Sequence, residues 1–310
     1  MSTNSMAKYH GIGDGPGGSG TTNNPQPTWT RYTDYFLNAY NTTGIAMSVD
    51  IVNLGPYTCT LISNRHVLLA RHVGIAAGSN VYFVNNSNVT FTYQIISMQT
   101  VGPAAATDPG YTDISIGYLD RPIDTTLQFL KVVPANFLNY LQTSFIKTLD
   151  GNDNEVDDLS VPFISPVLPV LYNTNGWYPN PAAGSTDTWR RTWCGTLKLA
   201  FGVHQSTLDY SSPPASFLSH AFPITGAKYN NSEALRTGDS GNIVFIPINS
   251  EIVILGAWYQ GGSERVAGQG IGTTSFLAPY ITQINSAMTT LAGGTSYSLT
   301  QANLSGFKTF

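Results

Sequence analysis

Between residues 44 and 119 the chain runs through six short β-type stretches in quick succession: GIAMSVDIVN, YTCTLIS, HVLLA, NVYFVNN, VTFTYQIISM and YTDISIGYL. Each is rich in β-branched and aromatic residues and is bounded by Gly, Pro, Asn or Ser, which turn the backbone. No helical period intervenes, so backbone N–H and C=O groups have to be satisfied between strands. Six strands packed this closely predict a closed or nearly closed antiparallel barrel.

A second β-rich set begins near Phe145 and includes CGTLKLAFGV, GNIVFIPI, EIVILGAWYQ and GIGTTSFL. The Pro/Asn/Gly-rich residues 166–190 read as long surface loops between the sets. One helix is expected over residues 278–291, where Ile281, Ile284 and Met288 fall at spacings of 3 and 4. Residues 11–27 are Gly, Pro and small polar residues, which cannot repay the entropy of ordering through burial and read as a flexible arm. The organisation expected is an arm over 1–30, one β unit over 31–135, a second with the closing helix over 136–292, and a tail over 293–310.

The composition narrows the function. Across 310 residues only 10% are charged, the net charge is −4 and no Lys/Arg-rich run occurs, so nucleic acid is not an expected partner. No stretch approaches the ~20 apolar residues that span a bilayer. The first residues, MSTNSMAKYHG, lack the apolar core of an export signal, so the expectation is a soluble chain, cytoplasmic or assembly-associated by default. Two cysteines, Cys59 and Cys194, are too few for a disulfide framework, and spacing leaves their pairing open. The acceptor sequence Asn88-Val89-Thr90 reads as a plain surface loop.

Three residues stand out as a chemical set. Ser240 lies in Thr237-Gly238-Asp239-Ser240-Gly241-Asn242, directly before the strand-like IVFIPI. Small residues on both sides of a serine let the chain turn tightly and aim backbone N–H groups, here those of Gly238 and Ser240, at a developing oxyanion. A strand follows, and Asn242 stands where the α/β-hydrolase elbow needs its last glycine, so that alternative is disfavoured. His72 comes just past the apolar VLLA run, where a ring can sit at a cleft rim and serve as a base. Asp113 opens an alternating strand and suits the carboxylate that orients an imidazole. The plainer readings are a turn serine, a structural or metal-binding histidine paired with His66, and a turn aspartate.

In combination the segments resemble a known family. TLISNRHVLLARHV resembles the histidine segment of chymotrypsin/trypsin-type serine peptidases, DISIGYLDRPI their aspartate segment and TGDSGN their serine segment, in the family's order. LGAWYQGG resembles the strand that lines an extended substrate, and GIGTTSFLAPYITQI the last strand and C-terminal helix. The resemblance covers roughly residues 40–290. It implies an all-β fold of two antiparallel six-stranded barrels with a C-terminal helix, and a serine endopeptidase with the triad His72, Asp113 and Ser240. It also implies an oxyanion hole at Gly238 and Ser240, a polypeptide substrate and no cofactor or metal.

Departures from the family sharpen the expectation. Val73 replaces the cysteine that commonly follows the histidine, and Asn242 and Ile243 replace Gly-Pro after the serine segment. No cleavage site leads into an apolar new N-terminus, so a zymogen is not expected and Asp239 needs another partner. Ala234 stands where trypsin-like members carry a specificity aspartate; with Tyr259, Gln260 and Gly261, and with Gly270 or Gly272 on a wall, an uncharged pocket preferring apolar or aromatic side chains is expected. The competing function is a trypsin-fold protein that cleaves nothing, such as a particle-surface or assembly component whose arm or tail binds a partner. The low charge, the arm and the tail GGTSYSLTQANLSGFKTF favour it, whereas an intact His, Asp and Ser set opposes it.

Overall fold

Strand formation follows the turn chemistry. The computed structural model describes residues 9–12, 28–31, 39–46, 48–49, 58–103, 112–140, 160–165, 193–198, 216–221, 241, 243–261, 270–307 and 309. Strands β1 (Tyr9–Ile12) and β2 (Thr28–Arg31) pair antiparallel, Tyr9 opposite Arg31 and Ile12 opposite Thr28. Of residues 11–27, read as a flexible arm, Gly11 and Ile12 belong to β1 instead, and residues 13–27 lie outside the described residues, as do the loops expected over 166–190.

The first sheet holds β3 (Ser48–Val49), β4 (Thr60–Leu61), β5 (His66–Ala70), β6 (Asn80–Val84), β7 (Thr90–Thr100) and β8 (Ile114–Leu119). Its order is β3-β6-β7-β8-β5-β4. Just ahead of β3, Ile45 bridges Thr60 and the Ala46 N–H donates to the Cys59 carbonyl at 2.9 Å. Side chains set the reversals: Ser63 Oγ accepts the N–H groups of Arg65 and His66 between β4 and β5. Between β6 and β7, Asn85 Oδ1 accepts those of Ser87 and Val89, with Asn88 left-handed at φ 63°.

The second sheet holds β9 (Lys131–Val132), β10 (Ser160–Ser165), β11 (Trp193–Lys198), β12 (Ser216–Ala221), β13 (Ile243–Ile248), β14 (Glu251–Gly261) and β15 (Gly270–Phe276). Its order is β13-β10-β11-β12-β15-β14-β9, with β13 also paired to β14. Asn249 and Ser250, both at positive φ, turn β13 into β14 in the two-residue manner that matches strand twist. Counted within their own sets, β3–β8 and β10–β15 share one scheme: first pairs with fourth, fourth with fifth, fifth with sixth, sixth with third and third with second. First and second pair as well in the later set, and the Ile45–Thr60 bridge makes that contact in the earlier one.

Burial explains why HVLLA is continuously apolar. Val67 and Leu69 pack inside the first sheet with Val81, Phe83, Tyr93 and Ile95. Leu68 points the other way, into a core shared with Ile114, Ile116, Val244, Phe245, Ile254 and Phe276. A strand buried on both faces has no polar side to alternate with, and each large apolar side chain contributes about 1.5–3 kcal/mol of burial.

The strand-rich architecture with a C-terminal helix is the one expected. A 3-10 turn (Ala278–Tyr280) leads into α1 (Ile281–Leu291), which buries Ile281, Ile284, Ala287 and Met288. The residues after α1, read from sequence as a tail, pack back onto the fold. The Leu299 N–H donates to Asn285 Oδ1 at 2.8 Å, and Gln301 lies in parallel register with Val132. The Val132 N–H donates to the Thr300 carbonyl and the Ala302 N–H to the Val132 carbonyl, while Leu299, Ala302 and Leu304 join the shared core. Among the described residues no helix is long and apolar enough to cross a membrane.

Candidate active site

His72 and Asp113 are 41 residues apart in sequence and meet because β5 and β8 are antiparallel neighbours with Ala70 opposite Ile114. One step beyond that pair the ladder continues, as the Arg71 N–H donates to the Asp113 carbonyl at 3.0 Å. The chain then enters a 3-10 turn, Arg71–Val73, closed by Gly74 in the left-handed region at φ 66°. That turn swings the His72 backbone N–H onto Asp113 Oδ1 at 2.7 Å, and the ring Nδ1–H donates to Oδ2 at 2.6 Å.

The pair is asymmetric in exposure. The Asp113 side chain is fully buried, whereas that of His72 is 38% exposed. Burial holds the Asp113 carboxyl above its ordinary value, and the hydrogen bonds from His72 oppose that shift without cancelling it. Because Nδ1 carries the proton given to the carboxylate, Nε2 is the basic nitrogen of the neutral ring. Asp113 is anchored on its other side too: Thr112 Oγ1 donates to the Val101 carbonyl at 2.5 Å, and the Val101 N–H to that of Ile114 at 2.9 Å.

Gly241 is the described residue nearest in sequence to Ser240. It is left-handed at φ 87°, and a Cβ there would lie 2.6 Å from the Thr58 carbonyl oxygen and 3.5 Å from the Ala70 nitrogen. The entry to β13 is thus pressed against the approach to β4 and the end of β5, two residues before His72. Only glycine fits such a conformation and such an approach. Ser240, Gly238, Asp239 and Ala234 lie outside the described residues.

Tyr259, Gln260 and Gly261 form the far end of β14, beyond the Ile243–Ala257 pair. Register shifts between Trp258 and Gln260, so Tyr259 stands out of the ladder with β15, and Gly261 is opposite Gly272. Gly270 pairs with Ala221 on the other side of β15.

His66 does not join His72. Its ring is fully buried, with Nδ1 against Ser63 Oγ at 2.8 Å and Nε2 against the Met288 carbonyl at 3.0 Å. Cys59 is a free, buried thiol whose pKa burial pushes up. Sequence reasoning missed the seat that Thr58 and Ala70 provide; its sequence signal was the glycine directly after the serine. It also missed Arg71, whose guanidinium donates to the Pro103 carbonyl at 2.5 Å beside the site. No protein-family model matches the chain, and comparison with curated proteins finds no match.

Proposed function

We propose that this chain is a serine endopeptidase of the chymotrypsin/trypsin type, in which His72, oriented by Asp113, takes the proton of Ser240. The observation that carries the reading is the doubly hydrogen-bonded pair, with Nδ1 at 2.6 Å and the backbone N–H at 2.7 Å from a buried carboxylate. That arrangement fixes the tautomer and orientation a general base requires, and it stabilises the imidazolium formed during attack. Supporting it, Gly241, the residue that follows Ser240 in sequence, lies against the Thr58 carbonyl and the Ala70 nitrogen, two residues before His72. The shared pairing scheme of β3–β8 and β10–β15 supports the finer fold reading of two six-stranded barrels.

In the proposed reaction Ser240 Oγ attacks the peptide carbonyl, and His72 holds the proton and then delivers it to the leaving amine. The N–H groups of Gly238 and Ser240 receive the oxyanion, and water resolves the acyl-enzyme. Ala234, Tyr259, Gln260 and Gly261 form an uncharged pocket that takes apolar or aromatic side chains. A fluorophosphonate probe followed by peptide mapping tests the chemistry: the label is expected on Ser240 in the folded chain and absent from a His72→Ala variant. A folded wild-type chain that takes no label on Ser240 overturns the proposal in favour of a non-catalytic, structural or binding role.

A further inference from the structure

At the opposite end of β5 from His72, His66 joins three parts of the fold. It stands on β5, its Nε2–H donates to the Met288 carbonyl near the end of α1, and its ring meets the edge of Tyr297 at 4.6 Å between centroids. Tyr118 of β8 lies on the ring as well, at 4.9 Å. Tyr297 is itself tied to the helix: its N–H lies 3.3 Å from Thr289 Oγ1, and two residues on, Leu299 is held by Asn285. One imidazole therefore fastens the first sheet to α1 and to the segment that follows it.

The hydrogen bonds around this ring admit only the neutral form. Ser63 Oγ already accepts the N–H groups of Arg65 and His66, so its own proton goes to His66 Nδ1. A second ring proton, on Nδ1, would face an oxygen that already receives two donors and would leave the Ser63 hydroxyl hydrogen without its acceptor. The charged group that acts on the ring is cationic: Arg65 lies over the same Tyr118 ring at 4.3 Å and donates to the Leu119 and Asp120 carbonyls. The Asp120 carboxylate is engaged by Arg121 and by the Gln94 N–H, α1 carries no charged residue, and the rings of Tyr118 and Tyr297 pack on the imidazole. Among the described residues no carboxylate faces the ring, and the Met288 carbonyl is the one group that favours a positive charge on His66.

We infer that His66 is an acid-operated latch, whose protonation releases α1 and residues 295–304 from the first sheet. The latch is independent of Ser240 chemistry. In the closed state the ring's pKa is lowered to about 4, chiefly by burial, with the Met288 carbonyl opposing and Arg65 adding to the lowering. Once released into water the imidazole returns to about 6.5. Opening therefore takes up a proton between these two values, so acid favours the open state and neutral pH the closed one.

Amide hydrogen exchange of the full chain between pH 7 and 4, corrected for intrinsic exchange, reads this directly. Protection of the second half of α1 and of residues 295–302 is expected to fall about tenfold per pH unit between about 6.5 and 4. In His66→Gln, which keeps an amide donor for Met288 but cannot ionise in this range, the slope is expected to vanish. An equal slope in the variant, or no slope in the wild type, overturns the inference. Should the variant not fold, an NMR titration of wild-type His66 decides: the ring is expected to ionise together with shifts at Met288 and Tyr297. Ionisation near pH 6.5 with the helix unchanged overturns it.

Discussion

Asp113 receives two hydrogen bonds from His72, one from the ring and one from the same residue's backbone N–H. The backbone bond ties the carboxylate to the 3-10 turn whatever the ring does, so the two jobs of Asp113 separate on mutation. In Asp113→Asn the amide oxygen can still accept the backbone N–H, while its NH2 group faces Nδ1 and forces the wrong tautomer. The expected outcome is a folded chain by circular dichroism whose kcat on a peptide ester is down by about 10^3–10^4. A variant with unchanged kcat would remove Asp113 from the proposed mechanism.

Gly241→Ala tests the seat of the serine segment. Its Cβ would meet the Thr58 carbonyl oxygen at 2.6 Å, a backbone atom that cannot swing aside, and alanine at φ 87° is strained in addition. A loss of about 1–3 kcal/mol is expected in urea unfolding, together with much slower fluorophosphonate labelling. At Gly74, also left-handed but with nothing within 4 Å, only the backbone strain applies. Gly74→Ala is therefore expected to cost less than Gly241→Ala; the reverse order would show that the close approach does not matter.

The parts of this fold that could be read from sequence are those held by local signals. The strands β4 to β8 are apolar runs between turn residues, and the burial of Ile281, Ile284 and Met288 follows their helical spacing. The strands β10 and β12 escaped because SVPFIS and SFLSHA are short, carry serines at or near both ends and, in one case, a proline. The packing of 295–304 escaped because its apolar residues, Leu299, Ala302 and Leu304, follow no period; their partner is the two-residue strand β9. The approach of His72 to Asp113 was legible only as a motif resemblance, since pairing of β5 with β8 has no signature in either strand alone. The double hydrogen bond and the Thr58 seat depend on register and were beyond reach.

Cys59 offers a probe of the first sheet's interior. It is fully buried, and that burial raises its pKa, so the reactive thiolate is suppressed. In the native chain iodoacetamide is expected to modify Cys59 only through opening of the sheet, and adding urea should accelerate the reaction as stability falls. Mass spectrometry of the peptide containing Cys59 checks this. Modification at the rate of a free model thiol under native conditions would show that the sheet around β4 is not closed to solvent.

The segment after α1 makes the last prediction, because its residues split cleanly by burial. Leu299 and Leu304 are each 5% exposed within the shared core, whereas Phe307 is 49% exposed. Truncating a buried leucine removes its transfer energy and leaves a cavity, so Leu299→Ala and Leu304→Ala are each expected to lose about 2–5 kcal/mol. Phe307→Ala is expected to stay within about 0.5 kcal/mol of wild type despite deleting the larger side chain. Leu299 adds a further consequence, since it lies between Tyr297, which touches His66, and Thr300, whose carbonyl accepts the Val132 N–H. Its truncation is therefore expected to loosen β9 as well as α1, seen as faster exchange at the Val132 amide. Exchange at Val132 unchanged by Leu299→Ala would mean that residues 295–304 and β9 are held independently.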